Sequence, residues 1–161
     1  MNILTKDITS SIAVTCVTDG DMDQYKRAHY ISNKLGCRLL KRPKFSLSLT
    51  LEHFNLQAVL VVGKNQIIFQ TAEEQLQHHP NASVLRISNI DAGRGDVLTD
   101  LMELKSGDRV LDCTCGMGAD AITSAHQTGD AGYVLALESS PILSLLTREG
   151  MSSYNHPNHP A

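Results

Sequence analysis

The run from Arg109 onward constrains the fold more than any other stretch. "RVLDCT" is an apolar, β-prone segment that breaks into the glycines of "CGMGAD". "GADAITSAHQTG" then has helical spacing, followed by the strand-like "GYVLALES" and by "PILSLLTREGM", whose Pro141 suits a first helical turn. Strand, glycine turn, helix, strand, helix is a βαβα unit, and it predicts two parallel strands joined by a right-handed crossover. That is the opening half of a doubly wound sheet. The sequence reaches "NHPNHPA" without a second half, so we expect the catalytic half of such a fold to lie beyond residue 161.

The preceding residues predict a separate, smaller α/β lobe over 1–73. "SIAVTCVT" (11–18) is β-branched and bounded by the turn "DGD", which marks a strand. "DMDQYKRAHYISNKLG" places Met22, Tyr25, Ala28, Ile31 and Leu35 on one helical face, with acids first and Gly36 at the stop. "CRLL" predicts a short strand and "SLSLTLEHFN" a short helix or turn. "AVLVVGKNQIIFQT" (58–71) predicts a hairpin about Gly63-Lys64-Asn65. Residues 74–108 connect the lobes. In them "AEEQLQHHPNA" predicts a polar connection, "SVLRISNI" a strand, and "GDVLTDLMELKSGD" a helix delivering the chain to Arg109. The incomplete Rossmann-like domain occupies 109–161.

Composition narrows the function classes. A net charge of −3 argues against a highly basic nucleic-acid binder, although "RLLKRPK" (38–44) is a local basic cluster or a solvated loop. The four cysteines lack paired C-x-x-C spacing, and Cys113 and Cys115 are expected to alternate along a buried strand. His78–His79 and His156–His159 fall in polar, proline-containing loops without zinc-ligand spacing. Reduced cysteines and no metal are therefore expected. No apolar run suits a signal peptide or a membrane span, so the expectation is a cytoplasmic protein that does not engage a membrane.

The glycine turn points to a ligand. In open parallel sheets, ligands bind beyond the carboxyl ends of the strands, and glycines there let the backbone approach them. Gly116 and Gly118 fit that role, and Glu138 ends the second strand, where a carboxylate can accept both hydroxyls of an adenosine ribose. A dinucleotide site would favour G-x-G-x-x-G, with a pyrophosphate near the position that Asp120 holds here, and the like charge counts against NAD. S-adenosylmethionine carries a sulfonium and an ammonium group, with which Asp112 and Asp120 are compatible. Asp112 could instead cap the following turn, and Asp120 could be an ordinary first-turn acid.

At these residues the chain resembles class I S-adenosylmethionine-dependent methyltransferases, in the branch related to the bacterial small-subunit ribosomal RNA guanine-N2 methyltransferase. That branch shows D-x-T-x-G-x-G-x-D-A, then E-x-x-P, with G-R-G-[DE] upstream. This chain has Asp112, Thr114, Gly116, Gly118, Asp120 and Ala121; then Glu138 and Pro141; and upstream Gly93-Arg94-Gly95-Asp96. The resemblance spans about residues 79–151. It implies a Rossmann-like fold, S-adenosylmethionine as cofactor, RNA (ribosomal RNA foremost) as substrate, and cofactor contacts at Ala119–Asp120 and Glu138–Ser139.

The family's Asp-Pro-aromatic motif, which holds the target amine, has no counterpart here, since none of the prolines follows an aspartate. The resemblance thus supplies a cofactor half-site and no catalytic residue, and the chain by itself is expected to be inactive. Arg94 could pair with Asp96 or meet a substrate phosphate, and His79 reads as loop structure. A sheet edge left open could support a homo-oligomer. The alternative reading is a non-catalytic α/β module that binds a nucleotide or another protein.

Overall fold

The computed structural model describes residues 10–41, 44 and 46–152, and the backbone of 155–156 and 159–160. The chain is a mixed α/β structure that divides into two compact units. One holds the described residues up to His78 together with those from Arg148 onward; the other is His79–Thr147.

The first unit is built on a five-stranded mixed sheet of order β2-β1-β3-β4-β5. Its strands are β1 (Ile12–Cys16), β2 (Arg38–Leu39), β3 (Ala58–Val62), β4 (Ile67–Thr71) and β5 (Gln75–Gln77). β1 runs parallel to β2 and to β3, in register from Ile12↔Ala58 to Cys16↔Val62, whereas β4 and β5 add antiparallel. "IAVT" and "AVLVV" are continuous apolar runs because both their faces are covered. Ile12, Ala13, Val14, Val59, Leu60 and Val62 are wholly buried. On one face Ala13, Val59 and Val61 meet Leu51 and Leu56 beside α2 (Leu47–His53).

Helix α1 (Met22–Leu35) follows β1. Asp21 caps it by accepting from the amides of Asp23 and Gln24, while the Gln24 side chain returns a bond from Asp21 N; Gly36 ends it at φ 67°, where a Cβ would be strained. Its inward stripe is narrower than the sequence suggests: Ala28, Ile31 and Ser32 are buried, but Met22 and Tyr25 are 67% and 45% exposed.

Two segments of the connection depart from expectation. "AEEQLQHHPNA" contains β5, a polar edge strand pairing Gln70↔Gln75 and Ile68↔Gln77. Polar residues suit an edge, since they discourage further pairing. "SVLRISNI" is not a strand but belongs to helix α3 (Asn81–Asp91). Its β-branched content suggested a strand, yet Ser83 and Ile87 are buried four residues apart while Leu85 is exposed, which is helical periodicity.

The second unit continues with α4 (Val97–Leu101), β6 (Arg109–Asp112), α5 (Ala119–Thr128) and β7 (Tyr133–Ala136), and the division between the units falls within α6 (Pro141–Ser152). β6 and β7 are parallel, in register from Arg109↔Tyr133 to Asp112↔Ala136, as the βαβα pattern predicts. The expected alternation of Cys113 and Cys115 along a buried strand is not found. β6 stops at Asp112, Cys113 is exposed, and Cys115 is half-buried in the turn.

Of the basic run, Arg42 and Pro43 lie outside the described residues. The backbone at His156 and His159 forms a short antiparallel ladder, β8 (Asn155–His156) with β9 (His159–Pro160), where the sequence suggested a loop. Among the described residues no helix is long and apolar enough to cross a membrane, no cluster of side chains could hold a metal, and all four cysteines are free.

Candidate functional site

The site is the turn between β6 and α5, where the second unit's parallel ladder ends. The ladder continues past the strands: Leu137 N donates to Asp112 O at 2.7 Å and Cys115 N to Leu137 O at 2.9 Å. The chain then reverses through Gly116 (φ 54°) and Gly118 (φ 81°). Both lie in the left-handed region that favours glycine, so both are required by the backbone path. Gly118 N closes the turn on Cys115 O at 2.7 Å, and α5 starts at the next residue.

Glu138 is the hub. One carboxylate oxygen accepts from Gly116 N at 2.8 Å and the other from Ser140 N at 2.7 Å. The side chain thereby fastens the end of β7 to the glycine turn. Hydrogen bonds to a carboxylate favour its charged form, so the Ser140 amide first, and then those of Gly116 and Ser139, hold Glu138 below the usual carboxylate range despite partial burial. From the other side, the Thr147 hydroxyl donates to Gly116 O at 2.7 Å. Both backbone polar groups of Gly116 are thus held by side chains.

Asp112 is divided in its duties. Its Oδ1 accepts from Thr114 N at 2.9 Å, which makes it the cap of the turn. Its Oδ2 is buried, and among the described residues no donor reaches it. A buried carboxylate oxygen without a partner is costly, so it marks a place where something else can donate. Between the two acids, burial and then the charges of Asp112 and Glu138 push the Cys115 thiol up, so it is not an activated nucleophile.

Asp112, Gly116 and Gly118 lie along the turn from β6 to α5, and Glu138 reaches it from the end of β7. Ala119 and Asp120 open α5 beside it, and Ser139 follows Glu138. Asp120 does not point free into solvent; it is ion-paired with Arg86 of α3. Among the described residues Arg94 pairs with neither Asp96 nor another acid. Its Nε donates to Asn89 Oδ1 at 2.9 Å, while Asp96 is taken by Arg86. Gly95, between Arg94 and Asp96, has φ 72°, and a Cβ on it would come within 2.5 Å of the Asp100 carboxylate. His79 is an exposed loop residue. Thr147 and Arg86 went unnoticed in the sequence because neither stands in a motif.

No protein-family model matches the chain. The chain is 33% identical over 109 residues to "Uncharacterized protein YpiP" of Bacillus subtilis (strain 168), a match that covers 65% of this chain and 42% of the relative. The chain therefore spans less than half the length of the curated relative it matches.

Proposed function

We propose that the Gly116–Gly118 turn with Glu138 and Asp112 is the cofactor half-site of an S-adenosylmethionine-dependent methyltransferase. In this reading the protein is a cytoplasmic relative of the ribosomal RNA guanine-N2 methyltransferases, acting on an RNA nitrogen. One observation carries the reading: Glu138 stands at the carboxyl end of β7, bonded to the glycine turn that follows the adjacent parallel strand. Such a position is where a diol-gripping acid belongs.

The residues present fit this cofactor. The orphaned Asp112 Oδ2 has room in its hydrogen-bonding capacity for a cationic or hydroxyl donor. Residues 79–147 carry nine acids against four lysines and arginines, which favours a cationic ligand and opposes a pyrophosphate. When bound, S-adenosylmethionine supplies an electrophilic methyl carbon on its sulfonium. The protein's share is positional: Glu138 and Asp112 orient the cofactor, and Gly116 and Gly118 keep the backbone bare against it. No catalytic residue is assigned.

One observation favours the alternative of a non-catalytic α/β nucleotide-binding or protein-interaction module. Both oxygens of Glu138 already accept backbone amides, so the residue has structural work whether or not a ribose binds. A carboxylate nonetheless keeps further lone pairs for a diol. Isothermal titration separates the readings. S-adenosylmethionine or S-adenosylhomocysteine should bind, and NAD should bind weakly or not at all. Tighter binding of NAD than of S-adenosylhomocysteine would sink the cofactor assignment.

A further inference from the structure

Arg86 makes three side-chain hydrogen bonds to two different acids. Its Nε donates to Asp96 Oδ2 at 2.7 Å and its Nη2 to Asp96 Oδ1 at 2.9 Å, a two-pronged pair. Its Nη1 reaches in another direction, to Asp120 Oδ1. Asp96 is itself committed, since Oδ1 also accepts from the amides of Leu98 and Thr99 as the N-cap of α4. A single guanidinium therefore joins the body of α3, the capped start of α4 and the first turn of α5. The Asp96 side chain is 9% exposed and that of Arg86 23%, so the pair is sheltered, whereas Asp120 is 62% exposed. A second tie, His126 Nε2 to Asp91 Oδ1 at 2.8 Å, joins the far ends of the same two helices, α3 and α5.

We propose that Arg86 is a positioning residue for the glycine turn. By clamping Asp120 to the capped start of α4, it fixes the first turn of α5 and with it the backbone path through Gly116 and Gly118. The consequence for affinity rests on the cofactor reading above. The charge states agree with the geometry: Arg86 is held firmly protonated by Asp96 and Asp120, and Asp96 is held below the carboxylate range chiefly by Arg86. The G-R-G-D element acquires a purpose on this account, because Asp96 anchors the clamp while Arg94 stays outside it. Lysine cannot replace the clamp fully, since an ammonium lacks the planar fork that serves Asp96 and Asp120 together.

The test uses the whole chain and two readouts. In a ¹⁵N-labelled spectrum, Arg86→Met should shift the Gly116 and Gly118 amide peaks. In titration with S-adenosylhomocysteine it should weaken binding by about fivefold or more. Arg86→Lys should recover part of that loss. The double variant Arg86→Met/Asp120→Asn should bind no more weakly than the weaker single variant, because the two residues act as one unit. Unmoved glycine amides, unchanged affinity, or fully additive losses overturn the proposal. Should the wild-type chain not bind S-adenosylhomocysteine at all, the cofactor reading falls, and the clamp is still decided by the glycine amides. Should Arg86→Met fail to fold, Asp96→Asn keeps an acceptor for the α4 cap while removing the charge, and must move the same amides or the proposal fails.

Discussion

Replacing Glu138 by alanine should weaken S-adenosylhomocysteine binding tenfold or more while leaving the circular dichroism spectrum near that of the wild type. On the proposed cofactor reading, the charged hydrogen bonds of the carboxylate to a ribose would be lost, each interaction of this kind contributing about 1.5–3 kcal/mol. The same substitution strips Gly116 N and Ser140 N of their acceptor, so the turn loosens even before ligand arrives. Glu138→Gln removes the charge and one acceptor. A glutamine oxygen can accept only one of the two amides that Glu138 accepts, so wild-type affinity in Glu138→Gln would show that neither the charge nor the second acceptor is needed for binding. Equal affinity in wild type and Glu138→Ala would remove the residue from the site altogether.

The pH dependence follows from the sign of the shift. Glu138 is held below its ordinary value, so its contribution is complete above the unfolded glutamate pKa of about 4.3 and disappears as the pH falls through the lower folded value. Affinity should therefore show no Glu138-dependent change between about pH 5 and 8. Titration at several pH values checks this. A loss of binding beginning near neutrality would have to come from another group.

The site was legible because its determinants are local. Gly116, Gly118 and the strand-end acids lie within a few residues of the β-strands that place them, and steric rules tie a glycine turn after a strand to a specific backbone path. Strand β5 and helix α3 were misread for opposite reasons. "QLQ" is polar because it lies at an edge, so it lacks the apolar signal of a central strand. "SVLRISNI" has the composition of a strand, but Ser83 and Ile87 carry a helical period that composition hides. Thr147 and Arg86 illustrate a harder limit. Their bonds to Gly116 and Asp120 span 31 and 34 residues, so nothing near them in the sequence announces the partner. Met22 and Tyr25 show that helical spacing names a stripe without saying how far along the helix the core extends.

The sheet of the second unit should make this chain sticky. A parallel sheet ordinarily has both faces covered. Here Val110 is buried and Val134 and Ala136 are half-buried on the face where α5 packs, but the register Leu111↔Leu135 puts the other set outward. Leu111, Tyr133, Leu135 and Leu137 are 58%, 54%, 44% and 48% exposed. Four large apolar side chains on one small face, in a ladder that pairs with no third strand among the described residues, form the kind of patch that monomeric proteins avoid. The chain should therefore bind a hydrophobic-surface dye or show a light-scattering mass above that of a monomer, with copies meeting through this face and edge. Leu135→Lys places a charge at the centre of the patch on a strand edge and should reduce both signals without unfolding the protein. A wild-type chain that is monomeric and dye-silent would mean that this face is stable in water as it stands.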